Sequence, residues 1–165
     1  MKASVIALLQ ALDREIPGLD VLETMLRQQR DRLVARDVSG IIESIQSQEK
    51  LVQEIKTYEK TRRVAMSAVA RKLQMDENVN LGLICDRLEG ELAVELRQRR
   101  EQLRQRVELV IRLNGDNQRL IRHAHDAVQK MAAAVAGLTP AQPVYEQNGL
   151  IRTPKQIRAL VDQVT

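Results

Sequence analysis

Apolar residues recur at steps of three and four along most of the first 138 residues, a spacing that predicts amphipathic α-helices. The first series predicts a helix that runs to about Ala35, with an apolar face formed by Val5, Leu9, Leu12, Ile16, Leu19, Leu22, Leu26 and Leu33. Pro17 falls inside this series without changing its phase. We therefore expect a kink at this position rather than two separate helices.

A second helix is predicted to follow directly, because Asp37 or Ser39 can accept a hydrogen bond from the first turn. Its apolar series consists of Ile42, Ile45, Val52, Ile55, Met66, Val69 and Leu73. The stretch MDENVN at 75–80 ends it. Asn78 or Asn80 is expected to cap a short connecting helix from Leu81 to Leu88.

The last helix has the most regular pattern, a heptad seam sustained over five repeats. The seam contains Leu103, Val107, Val110, Asn114, Asn117, Ile121, Ala124, Val128, Met131, Val135 and Leu138. Gly137 and Pro140 are typical of a helix end. Three long helices with short connections predict an all-α antiparallel bundle over residues 1–138, with a short connecting helix.

Residues 139–165 differ in character and are interpreted as a flexible C-terminal tail. Three prolines and the pair Asn148-Gly149 interrupt this region, and a short amphipathic segment follows at 157–164. The chain has no Phe or Trp and only two Tyr, yet one of them, Tyr145, lies in this tail. A scarce aromatic ring outside the predicted core indicates a recognition residue.

The composition excludes several classes of protein. The single cysteine, Cys85, cannot form an intramolecular disulfide, which favours a reducing compartment. No apolar run approaches the roughly 20 residues that span a bilayer, so we expect a cytoplasmic protein that is not embedded in a membrane. His123 and His125 are two residues apart on a helix and cannot share a metal. We find no phosphate-binding glycine loop and expect neither enzymatic activity nor a cofactor.

Two features leave alternatives open. Five arginines lie between 97 and 106, and they either neutralise phosphates of a nucleic acid or, as we prefer, pair with acids on neighbouring helices. Asn114 and Asn117 fall on the predicted seam, where Asn fixes helix register at a cost in stability. Alternatively, these two residues contact a ligand helix on a partly uncovered seam.

The chain resembles the FlgN family of flagellar type III export chaperones. The resemblance rests on the long helices, on Glu49-Lys50, on LNGDNQRLI at 113–121 and on VYEQNG at 144–149. It implies a chaperone that holds the C-terminal helical segments of hook–filament junction proteins and delivers them to the type III export gate. It also implies that Tyr145 and Gly149 dock on the cytoplasmic domain of that gate.

We expect the client segment to contact an apolar groove on the last helix. The candidate contacts are Asn114, Asn117, Ile121, Val128, Met131 and Val135. The alternative functions are a nucleic-acid-binding bundle, which the lack of base-stacking aromatics makes unlikely, and a structural coiled-coil adaptor.

Overall fold

The computed structural model describes residues 1–135, which form four α-helices and, within that range, no strand. The helices are α1 (Lys2–Ala35), α2 (Val38–Lys72), α3 (Leu81–Arg87) and α4 (Glu91–Val135). The predicted all-α class, three long helices and one short helix are confirmed. The chain divides into two compact units, Met1–Ile121 and Arg122–Thr165. The predicted boundary after residue 138 and the predicted tail lie outside the described residues.

Local sequence signals fix the ends of the helices. α1 continues through Pro17 as one helix, as expected. It ends at Arg36, which takes a left-handed conformation with φ 58°. Asp37 then caps α2 by accepting a 3.0 Å hydrogen bond from the Gly40 N–H. Asn80 caps α3 in the same way, through a 3.0 Å bond from the Leu83 N–H. One residue of each predicted pair of caps is therefore the cap.

α1 and α2 are antiparallel neighbours, joined by only Arg36 and Asp37. Near the middle of the pair, the Arg62 Nε donates a 2.6 Å hydrogen bond to Oε2 of the buried Glu15. Near the connection, the Arg32 guanidinium donates to the Gly40 carbonyl. The ion pair between Arg62 and Glu15 is largely shielded from water and joins the two helices.

α4 lies beside α1 and runs in the same direction. Arg99 Nε lies 2.6 Å from Asp13 Oδ1, and one heptad later Arg106 Nε lies 2.6 Å from Asp20 Oδ1. Both residue numbers rise together along the two helices, which fixes their relative direction.

The predicted apolar face of α2 is wrong over its first turns. Ile42 and Ile45 are exposed, whereas Gly40 and Ser44 are buried. A Cβ built on Gly40 would collide with the carboxylate of the capping Asp37 and would lie 3.0 Å from Cδ of Arg32 in α1. Glycine at this position thus leaves room for the cap and for Arg32, and the side of α2 with Gly40 and Ser44 faces inward while the two isoleucines lie outside.

Candidate functional site

The apolar core of the first unit is thick in one half and thin in the other. The half that contains α3, called the proximal half, has a large cluster to which all four helices contribute. The other half, called the distal half, has a small cluster with only three buried members, Leu22, Leu26 and Leu113. Half-buried residues border it: Leu51, Val52, Ile55, Leu109 and Val110. The distal core is therefore partly open to solvent.

One side of α4 shows this difference directly. Ala93 is 1% exposed, and Ile111, about five turns later on the same side of the helix, is 65% exposed. Leu103 is 8% exposed, and Ile121, again about five turns later, is 40% exposed. The same side of α4 is covered in the proximal half and uncovered in the distal half.

The element that helps to cover the proximal half is α3. Its buried residues Ile84 and Cys85 join the large cluster. The Arg97 side chain of α4 donates 2.9 Å hydrogen bonds to the carbonyl oxygens of Cys85 and Leu88 at the end of α3. A short amphipathic helix with an apolar face thus fits this side of α4.

α2 shows the same change from buried residues in the proximal half to half-buried residues in the distal half. Val69 and Ala70 are fully buried in the proximal half. Leu51 and Val52, about five turns earlier on the same sides of α2, are only half-buried. We call the space between these walls the distal groove. Its floor is Leu22 and Leu26 of α1 with the half-buried Val110 of α4, and its walls are Leu51 and Val52 of α2 and Val107 and Ile111 of α4.

Exposed apolar side chains continue along both walls. On α2 they follow helical steps of four and three, at Val38, Ile42 and Ile45. On α4, Val107 precedes Ile111 by four residues, and both are exposed. Apolar residues at such steps form a continuous stripe, which is typical of a surface that receives another helix.

Asn117 and Asn114 have different surroundings. Asn117 is 1% exposed, and its Nδ2 donates to the Leu26 carbonyl at 2.8 Å and to Gln29 Oε1 at 2.9 Å. Its Oδ1 and the buried Nε2 of Gln48 have no hydrogen-bond partner among residues 1–135. Asn114 is exposed, on the side of α4 that is open. Asn117 thus joins α4 to α1, and Asn114 faces solvent.

The predicted heptad seam of α4 is correct at Leu103, Val110 and Asn117 and wrong at the positions between them. Val107, Asn114 and Ile121 are exposed, and Leu113 is buried instead. The contacts of Arg99, Arg106 and Asn117 with α1 determine which side of α4 faces inward. They turn Leu113 toward the core and leave a second apolar stripe outside.

The remaining predicted contacts belong to the second unit, of which residues 122–135 are described. Val128, Met131 and Val135 are all exposed and follow one another at steps of three and four. They form an apolar stripe on this part of α4. Tyr145 and Gly149, the predicted docking residues, lie outside the described residues.

Most arginines of the 97–106 window have partners within the first unit. Arg97 holds α3, and Arg99 and Arg106 pair with acids of α1. Arg104 pairs with Glu101 and with Glu108. Hydrogen bonds from Arg104, and then from Gln105, lower the pKa of Glu101 to about 2. These contacts agree with the structural interpretation of the window.

Residues 1–135 contain no group of His, Cys, Asp and Glu side chains that could hold a metal ion. Cys85 is buried, and burial raises the pKa of its thiol, which keeps it in its less reactive form. In that part of the chain no helix is both long enough and apolar enough to cross a membrane.

Comparison with known protein families matches residues 1–153 to the family described as FlgN protein. The match spans most of the chain, which therefore belongs to the FlgN family of flagellar export chaperones. No curated protein and no solved structure matches the chain.

Proposed function

We propose that this FlgN-family protein binds the C-terminal helical segments of hook–filament junction proteins in the cytoplasm and delivers them to the type III export gate. In this proposal the distal groove receives the client helix. The observation that carries the proposal is the side of α4 that is buried in the large core cluster at Ala93 and exposed at Ile111.

The groove has the chemistry that an amphipathic client helix requires. A client helix that lies along it would cover the half-buried Leu51 and Val52 and the exposed Ile111. Burial of apolar area contributes roughly 25 cal/mol per Å², so a helix of a few turns gains from this contact. The apolar face of the client would then be unavailable for premature association, which is how a holding chaperone acts.

Val128, Met131 and Val135 are proposed as a second client contact, because their stripe is apolar and exposed. Tyr145 and Gly149 are proposed to dock on the export gate. This role rests on the family resemblance and on the rarity of aromatic residues in the sequence. Holding and delivery would then use different residues of one chain.

The two alternative functions make different predictions about partners. A nucleic-acid-binding bundle needs unpaired basic groups, and four of the five arginines at 97–106 already bind groups within the first unit. A coiled-coil adaptor would associate with itself through the exposed stripe of α4. Neither alternative accounts for an apolar groove that a helix of the same chain covers at one end.

The test is binding of the full chain to purified C-terminal segments of hook–filament junction proteins, measured by isothermal titration calorimetry. Light scattering should show a chaperone–client complex of defined stoichiometry. A short single-stranded RNA is titrated in parallel. The proposal predicts saturable binding to the client segment and none to RNA. Binding to RNA alone, or assembly of the chain without a client, would favour one of the alternatives.

A further inference from the structure

Basic side chains line both walls of the distal groove at its proximal end. On α2 these are Lys56, Lys60 and Arg63, and on α4 they are Arg100 and Arg104. Arg62 pairs with Glu15, and Arg99 pairs with Asp13 only two residues earlier in α1. The basic residues next to them, on α2 and on α4, therefore lie at similar heights along α1.

The heptad positions of these residues place them beside the apolar walls. Arg100 precedes Val107 by one heptad, so both lie on the open side of α4. Lys56 follows Val52 by about one turn, and Lys60 follows Lys56 by about one turn. The α4 wall thus changes from apolar at Val107 to basic at Arg100, and the α2 wall changes from Val52, beside the acidic Glu49, to Lys56 and Lys60.

Several of these charges have no acidic partner. Arg63 pairs with Glu59, and Arg104 pairs with Glu101 and Glu108. Lys56, Lys60 and Arg100 make no ion pair with any described residue. A cavity of about 390 Å³ lies further along α2 toward α3, lined by Arg62, Arg63 and residues 77–81 among others. Unpaired charges of one sign on facing walls favour a partner of the opposite sign.

We infer that the partner of the distal groove is an amphipathic helix with acidic residues flanking its apolar stripe. This inference rests on the proposed function and specifies the client chemistry. The apolar stripe would pack on Val107, Leu51 and Val52, and carboxylates on each flank would meet Lys56, Lys60 and Arg100. A nucleic acid would satisfy the charges but would leave the apolar floor exposed to phosphates and sugars. The floor therefore favours a peptide helix over a polyanion.

Three synthetic helical peptides of about 20 residues test the inference. They share one Leu-rich face and differ only in whether Glu, Gln or Lys flanks it. Each is titrated into the full chain at low salt and again at a concentration that screens exposed charges. The Glu-flanked peptide should bind about fivefold more tightly than the Gln-flanked one, because about three exposed ion pairs are added. The Lys-flanked peptide should bind most weakly.

Charge reversal at the groove supplies the matched comparison. The double variant Lys56→Glu/Lys60→Glu should lose the preference for the Glu-flanked peptide. The double variant Lys2→Glu/Lys72→Glu changes two other exposed lysines by the same net charge and should keep that preference. Equal binding of the Glu and Gln peptides, or the same loss in both variants, would overturn the inference.

The outcomes also separate this inference from the proposed function. If the Gln peptide and the junction-protein segments bind but acidic flanks add nothing, only the acidic preference is wrong. If no peptide and no junction-protein segment binds, the groove itself is not a client site. If single-stranded RNA competes with the Glu peptide, the basic walls serve a nucleic acid and the inference is wrong.

Discussion

Ala93 and Ile111 occupy the same side of α4, about five turns apart, yet one is buried and the other is 65% exposed. Ala93 belongs to the large core cluster, to which α3 contributes, whereas Ile111 belongs to neither core cluster. A side of a helix that is core at one end and surface at the other is suited to a second, removable helix. We propose the distal groove as the site of such a helix.

Asn117 and Asn114 allow the roles of register and client contact to be separated. Asn117→Ala should destabilise the fold by about 2 kcal/mol, because Gln29 Oε1 and the Leu26 carbonyl lose a buried donor. Asn114→Ala should change the stability by less than about 0.5 kcal/mol, since its side chain is exposed. Urea unfolding followed by circular dichroism measures both. Similar values for the two variants would show that the buried amide does not hold α4 against α1.

The ion pair between Glu15 and Arg62 should contribute far more than its exposed neighbour. Arg62→Met leaves the buried Glu15 carboxylate without its partner, and we expect a loss of about 3 kcal/mol. Arg63→Met removes an exposed pair with Glu59 and should cost under about 0.5 kcal/mol. Thermal and urea unfolding of both variants check this. A small effect of Arg62→Met would mean that Glu15 finds another partner or water.

The second proposed client contact is tested at Val128 and Met131. The double variant Val128→Asp/Met131→Asp should weaken co-purification with the client while the helical circular dichroism spectrum is retained, because both side chains are exposed. Loss of the spectrum would show that these residues belong to a core. Unchanged co-purification would restrict client binding to the first unit.

A variant of Tyr145 tests whether binding to the export gate and binding to the client use different residues. If its ring is a docking anchor, Tyr145→Ala should cost about 2 kcal/mol of binding to the export-gate domain, which is roughly a thirtyfold loss of affinity. Client affinity and melting temperature should stay unchanged. Titrations of the variant with the client and with the gate domain measure both. Equal losses in the two titrations would indicate that Tyr145 serves the fold instead.

The sequence predicted the helices well because helix formation depends mostly on residues that are close together in the chain. The caps Asp37 and Asn80, and the steps of three and four, place the elements within a residue or two. The expectation of a client groove on α4 has a similar basis, since a wide apolar face on α4 exceeds what two neighbouring helices can cover, and the role of that groove stays a prediction.

The orientation of each helix was harder to predict because it depends on contacts between distant residues. On α2, Gly40 and Ser44 face inward and Ile42 lies outside, and the hydrogen bond from Arg32 to the Gly40 carbonyl accompanies this orientation. On α4, both Leu113 and Asn114 fit an apolar periodicity of the surrounding residues. The buried hydrogen bonds of Asn117 to Leu26 and Gln29 of α1, one turn after Leu113, turn Leu113 inward, and periodicity alone carries no information about such bonds. The groove lies where these contacts leave the second apolar stripe of α4, with Val107 and Ile121, exposed.

The most direct test of the account compares Ile111→Asp with Val94→Asp. Both residues lie in α4 and are almost equally exposed, at 65% and 63%, but Val94 lies on a different side of the helix. Both variants should therefore keep the stability of the unsubstituted chain. Calorimetric titration with a junction-protein C-terminal segment should show at least a tenfold loss of affinity for Ile111→Asp, because the new carboxylate would be buried under the client helix. Val94→Asp should bind as the unsubstituted chain does. Unchanged binding of Ile111→Asp, or equal losses in the two variants, would contradict the assignment of the distal groove as the client site.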